Sequence, residues 1–167
     1  MLHVTRVGAF ALSVAICVGA TSAATQPAAS IEGVWRTTRV VVTGAYPQEL
    51  TNPQTGIYIF ARGYFSEATD NTSDAPRTAA VVADPTHLTE AEKLAKFEEW
   101  RPFAAVAGTY EVKGRTLVRH PMVAKNVSMT TADQTDEIEL RGNTLVIRGK
   151  SPGQPNRERT LTLTRLK

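Results

Sequence analysis

Gly108-Thr-Tyr-Glu-Val-Lys-Gly-Arg-Thr-Leu-Val-Arg-His-Pro-Met122 decides the fold. It is two short alternating runs joined at Lys113-Gly114. That is the pattern of an antiparallel β-hairpin in which glycine supplies the positive φ of the turn. One face of the second run carries Val118, His120 and Met122, and the other carries Leu117 and Arg119. A histidine between two apolar residues on one strand face points either into a core or into a cavity.

Working outward, the same pattern recurs. Gly56–Phe60 and Tyr64–Ala68 flank Ala61-Arg62-Gly63, and Thr135–Leu140 and Thr144–Gly149 flank Arg141-Gly142-Asn143. Gly33–Thr43 is rich in β-branched residues, and Arg157–Leu166 alternates threonine with leucine. A turn-prone loop runs through Pro47 and Asn52-Pro53. The polar stretch Ser66–His87 has room for a brief strand at Thr78–Val82. The period then changes. Thr89-Glu-Ala-Glu92 reads as a capping box, followed by Leu94, Phe97 and Trp100 at helical spacing until Pro102 limits the helix. About eight strands joined mainly by hairpins, with one inserted helix, close most economically into a small antiparallel up-and-down β-barrel. An immunoglobulin-like sandwich needs Greek-key connections that these tight turns argue against.

Met1–Ala23 has a weakly basic start, an apolar stretch from Val7 to Ala20, and small residues at Thr21-Ser22-Ala23, the order of a secretory signal peptide. The expected organisation is therefore a leader over 1–23, a short flexible arm over 24–30, and one domain over 31–167. Removing 23 of 167 residues leaves 144, enough for a single core. Cys17, the one cysteine, lies in the leader, so the rest of the chain can form no disulfide and no thiolate metal site. Bulky Ile16 before it argues against a lipid anchor, and the location implied is secreted or periplasmic. The formal charge of +3 falls by one with the leader's Arg6. With no basic stripe and no interleaved aromatics, nucleic-acid binding is not expected. Phosphate loops, nucleophile elbows and dinucleotide fingerprints are absent, and two histidines remain after the leader. No metal and no cofactor is therefore expected.

The chain resembles the bacterial and fungal lipocalin-like domain family. The residues that carry this are Gly33-Val34-Trp35, Gly56-Ile-Tyr-Ile-Phe60 turning through Gly63 into Tyr64-Phe65-Ser66, and the acidic helix. Gly108-Thr-Tyr110, the strand bearing His120, and Glu139-Leu-Arg-Gly-Asn-Thr-Leu-Val146 complete the set. The resemblance covers about residues 31–166 and implies a calycin-type barrel with an internal pocket for a hydrophobic or amphiphilic small molecule. It implies no defined reaction.

Trp35 is expected to plug the closed end, stacked under a cation of the last strand such as Arg165. Tyr58, Phe60 and Tyr64 share one hairpin face if Phe60 pairs with Tyr64, and serve either as plain core or as cavity wall. With Tyr110, Val118, His120 and Met122 they form the candidate ligand-binding set. The Thr160/Thr162/Thr164 face reads either as a polar lumen or as a solvated strand face. Ser66–His87 and the helix after it are expected to cover one mouth as a lid. The reading is a barrel that binds a small hydrophobic or amphiphilic molecule. The alternative is a cofactor-free enzyme of isomerase, cyclase or hydrolase type, with His120 as general acid or base in the same pocket. Oligomeric state and ligand identity are not encoded in any motif.

Overall fold

The computed structural model describes residues 30–51, 53–72, 77–151 and 154–167. The expected leader and all but the last residue of the arm lie outside the described residues. Among those described, nine strands run in chain order: β1 (Gly33–Gly44), β2 (Gln48–Thr51), β3 (Gly56–Ala61), β4 (Tyr64–Asp70), β5 (Phe103–Lys113), β6 (Thr116–Ala124), β7 (Gln134–Arg141), β8 (Thr144–Ser151) and β9 (Gln154–Arg165). Helix α1 (Glu90–Trp100) lies between β4 and β5, and a 3-10 turn over Val127–Thr130 lies between β6 and β7.

From β3 onward each strand pairs antiparallel with its successor, and β9 returns to β1. This closes eight strands into the all-β, lipocalin-like up-and-down barrel expected from the hairpin pattern. Strand β2 was not foreseen in what reads as a turn-prone loop. β1, at 12 residues, outruns β3, at 6. β3 covers Gly33–Arg36 of its edge and β2 covers Arg39–Val42, so the remaining backbone groups of that edge find partners. Between the two, the β1–β9 register slips at Thr37/Arg39. The bulge switches the inward series from Trp35 and Thr37 to Val40 and Val42.

The hairpin turns are tighter than the three-residue turns read from the sequence. Ala61 pairs with Tyr64, leaving the two-residue loop Arg62-Gly63 with φ of 51° and 80°. Positive φ at both positions is the mark of a type I′ turn, whose twist matches the flanking strands. Phe60 therefore pairs with Phe65 and not with Tyr64.

The core fills one end of the barrel. Trp35, Phe60, Leu117, Leu145 and Leu163 are fully buried there. As expected, Arg165 caps Trp35, its guanidinium carbon 4.1 Å from the ring centroid. The indole N–H donates to the carbonyl of Ile31 at 2.8 Å. Gly33, at φ +132°, leaves the room that Arg165 occupies.

Helix α1 begins with the expected capping box, Thr89 and Glu92 each bonding the other's backbone. None of its residues is buried. Lys125 collects the carbonyls of Trp100 and Phe103 at its other end. The expected strand at Thr78–Val82 does not form. The Ala80 and Ala83 amides nearby donate to the Glu99 and Glu92 side chains, so this stretch runs along the helix and joins no sheet.

Candidate functional site

Alternation along β4, β6, β7 and β9 sends an ionic group into the barrel. On β6 the inward face is Leu117 and Arg119, with Arg119 at 0% exposure. Its Nη1 donates to Glu67 Oε2 on β4 at 3.1 Å, and its Nη2 donates to Asp136 Oδ2 on β7 at 2.6 Å. Buried charges persist only when partnered in this way. A Cβ on Gly149 would overlap the Asp136 carboxylate, so glycine on β8 makes the space this pair needs. Tyr58 stands beside Glu67. Burial first, and then the Glu67 charge, push its phenol well above the ordinary tyrosine range, so the ring stays neutral.

Above this layer the barrel opens into a cavity of about 330 Å³. Val40, Val42, Leu50, Met129 and Leu161 give it apolar walls. Its polar lining includes Thr37, Arg157 and Arg159. Arg159 is only 12% exposed at its side chain, and its Nη1 stops 3.9 Å from Glu67 Oε1. Its Nε and Nη2 are buried with no hydrogen-bond partner among the described residues, and the same holds for Arg157 Nε and Thr37 Oγ1. Burial works against the Arg159 charge, but the nearby carboxylates, Glu67 foremost and then Asp136, favour the protonated guanidinium. Apolar walls and several buried polar groups without partners among the described residues thus meet in one chamber.

The candidate residues divide. Tyr58 and Phe60 face inward, and Tyr110 packs edge-on against Phe60 at 5.1 Å between centroids. Of these, Tyr58 reaches the cavity, whereas Phe60 and Tyr110 belong to the closed-end core. The placement of the other four inside the barrel is corrected. Tyr64 is 62% exposed because the two-residue turn shifts the hairpin register by one, which reverses every face. Val118, His120 and Met122 lie on the outer face of β6, Met122 being 70% exposed. The His120 imidazole, 37% exposed, pairs through Nδ1 with Asp133 Oδ1 at 2.8 Å, with Glu111 3.8 Å from its Nε2. No imidazole of the described residues lines the cavity.

The lid is corrected in part: Asn71 of the Ser66–His87 stretch lines the mouth with β2, the residues after it and Gln154, but α1 and residues 77–89 do not, and residues 73–76 lie outside the described residues. The Thr160/Thr162/Thr164 face is the outer one, and the lumen takes Arg157, Arg159, Leu161 and Leu163. Sequence reading missed Glu67, Arg119, Asp136 and Arg159. Glu67 lies two residues from Phe65 on one strand face, and Arg159 two from Leu161. That period was the available signal.

Two solved structures are similar in architecture. One is a lipocalin-like protein from Bacteroides uniformis, 12% identical, with 81% of this chain and 97% of that one covered and a TM-score of 0.42. The other is an uncharacterized protein from Bacteroides eggerthii, 10% identical, with 81% and 98% covered and a TM-score of 0.42. At these identities and TM-scores the similarity carries neither ligand nor activity to this chain. No family model and no curated protein matches the sequence.

Proposed function

We propose that this lipocalin-like barrel binds a small amphiphilic molecule in the cavity at its open end, as a secreted or periplasmic protein. One observation carries the reading: an apolar-walled chamber of about 330 Å³ contains buried polar groups that the protein itself does not satisfy. A folded domain leaves few such groups unpaired, and several lining one cavity mark a place where a ligand or bound water completes the structure. The volume is at the lower end of the roughly 300–1,000 Å³ of small-molecule pockets, which suits a short or medium-length ligand. The enzymatic alternative loses its base, because His120 stands outside the barrel.

Titration with 8-anilinonaphthalene-1-sulfonate tests the reading. Saturable, one-to-one fluorescence enhancement is expected. Leu50→Trp, a change on the short strand at the mouth, should weaken it without altering the melting temperature. Absence of saturable binding, or binding indifferent to Leu50→Trp, would contradict an internal site.

A further inference from the structure

Among the described residues, three guanidinium groups face the interior, Arg119, Arg157 and Arg159, against two interior carboxylates, Glu67 and Asp136. Asp136 is committed to Arg119, and Glu67 bonds Arg119 through one oxygen while the other lies 3.9 Å from Arg159. The remaining carboxylate of the lining, Asp70, is held by Arg77 at 2.8 Å and by Thr72. One positive charge is therefore left over, and it sits where the unanswered donors are. Arg159 Nε and Nη2 have no acceptor, and Nη1 is beyond hydrogen-bond distance of Glu67. Thr37 Oγ1, on the adjoining strand β1, also lacks a partner among the described residues.

We infer that the open-end cavity is specific for an amphiphile with a carboxylate head, the head seated on Arg159 and its chain lying along Val40, Val42, Leu50 and Leu161. The inference rests on the binding proposed above and specifies its ligand class. A planar carboxylate presents two acceptor oxygens to the parallel N–H pair of a guanidinium, and its single charge equals the surplus. A neutral alcohol leaves donors unanswered, and an ammonium adds a second unpaired cation. Arg157, whose Nη1 is already taken by Gln154 at 2.7 Å, stands nearer the rim, where it adds attraction for the entering anion.

Calorimetric titration of the intact protein with octanoate, 1-octanol, octylamine and octyl phosphate separates the claims. Octanoate should bind roughly ten- to a hundredfold more tightly than octanol, the margin of a charge-assisted hydrogen bond. Octylamine should bind weakest. Arg159→Met should erase the octanoate preference while octanol binding persists, and Arg159→Lys should restore only part of it. Because two Arg159 nitrogens have no acceptor among the described residues, Arg159→Met should also fold, with a melting temperature lowered far less than that of Arg119→Met. Equal binding of octanoate and octanol would overturn the carboxylate assignment and leave the binding function standing. Tighter binding of octyl phosphate would overturn it in favour of a phosphate head. If none of the four bound, the proposed function itself would fail.

Discussion

At the closed end of the barrel the indole N–H of Trp35 reaches the carbonyl of Ile31, and Arg165 spans the ring to the carbonyls of Glu32 and Ser30. At the open end Arg159, also on β9 and also turned inward, has no acceptor for two of its nitrogens. Both arginines lie on the same strand, six residues apart on one face. The closed one satisfies its donors on backbone carbonyls and a ring face. The open one faces a chamber whose walls are apolar. Among the described residues, the same fold thus completes its bonding at one end, for stability, and leaves it incomplete at the other, where the proposed ligand would complete it.

The comparison breaks most visibly at Trp35. Trp35→Ala removes a fully buried ring together with its hydrogen bond and its cation contact. It should destabilise the domain by about 3–5 kcal/mol, read from urea unfolding at unchanged m-value. An unchanged midpoint would mean that the closed end is not what holds the barrel shut.

Arg119→Met sharpens the contrast between the two interior arginines. Leaving Glu67 and Asp136 buried without their cation should lower stability by about 3–5 kcal/mol at neutral pH. Arg159→Met, the same substitution on β9, should cost the unliganded protein much less, since only its Nη1 approaches a carboxylate, at 3.9 Å, and two of its nitrogens have no acceptor among the described residues. Equal losses for the two would show Arg159 to be a structural partner of Glu67.

The smallest expected effect is at the rim. Burial alone would raise the Asp70 carboxyl, but the Thr72 amide and hydroxyl and the Arg77 guanidinium outweigh it and hold it below the usual carboxylate range. A carboxyl whose pKa is lower folded than unfolded contributes stability above its unfolded pKa and loses it as pH falls through the folded one. Asp70→Asn should therefore cost about 1 kcal/mol at neutrality, a difference that closes in acid. Persistence of the difference at low pH would assign it to packing instead of charge.

Much of this architecture was readable because it is local. The capping box at Thr89 and Glu92, the hairpin glycines and the Trp35–Arg165 stack each follow from residues whose spacing or strand order constrains them. The site was not readable for a reason of the same kind. Alternation says that Val118, His120 and Met122 share a face, but not that this face is outside. Apolar neighbours argued for inside, whereas the barrel turns Arg119 inward because Glu67, 52 residues earlier, and Asp136, 17 residues later, accept from it. Those partners become visible only when β4, β6 and β7 are placed around one lumen. At Tyr64 a single residue of turn length made the difference, since a one-residue slip exchanges the faces of a whole strand.

Backbone amide chemical shifts recorded while octanoate is added to the isotopically labelled protein test the division between the two ends most directly. The expected result is a saturable set of changes confined to the open end, at Val40, Val42, Leu50, Met129 and Arg159, with Trp35, Leu145 and Leu163 unmoved. Changes centred on the Trp35 end, or on the outer face around His120 and Asp133, would contradict it.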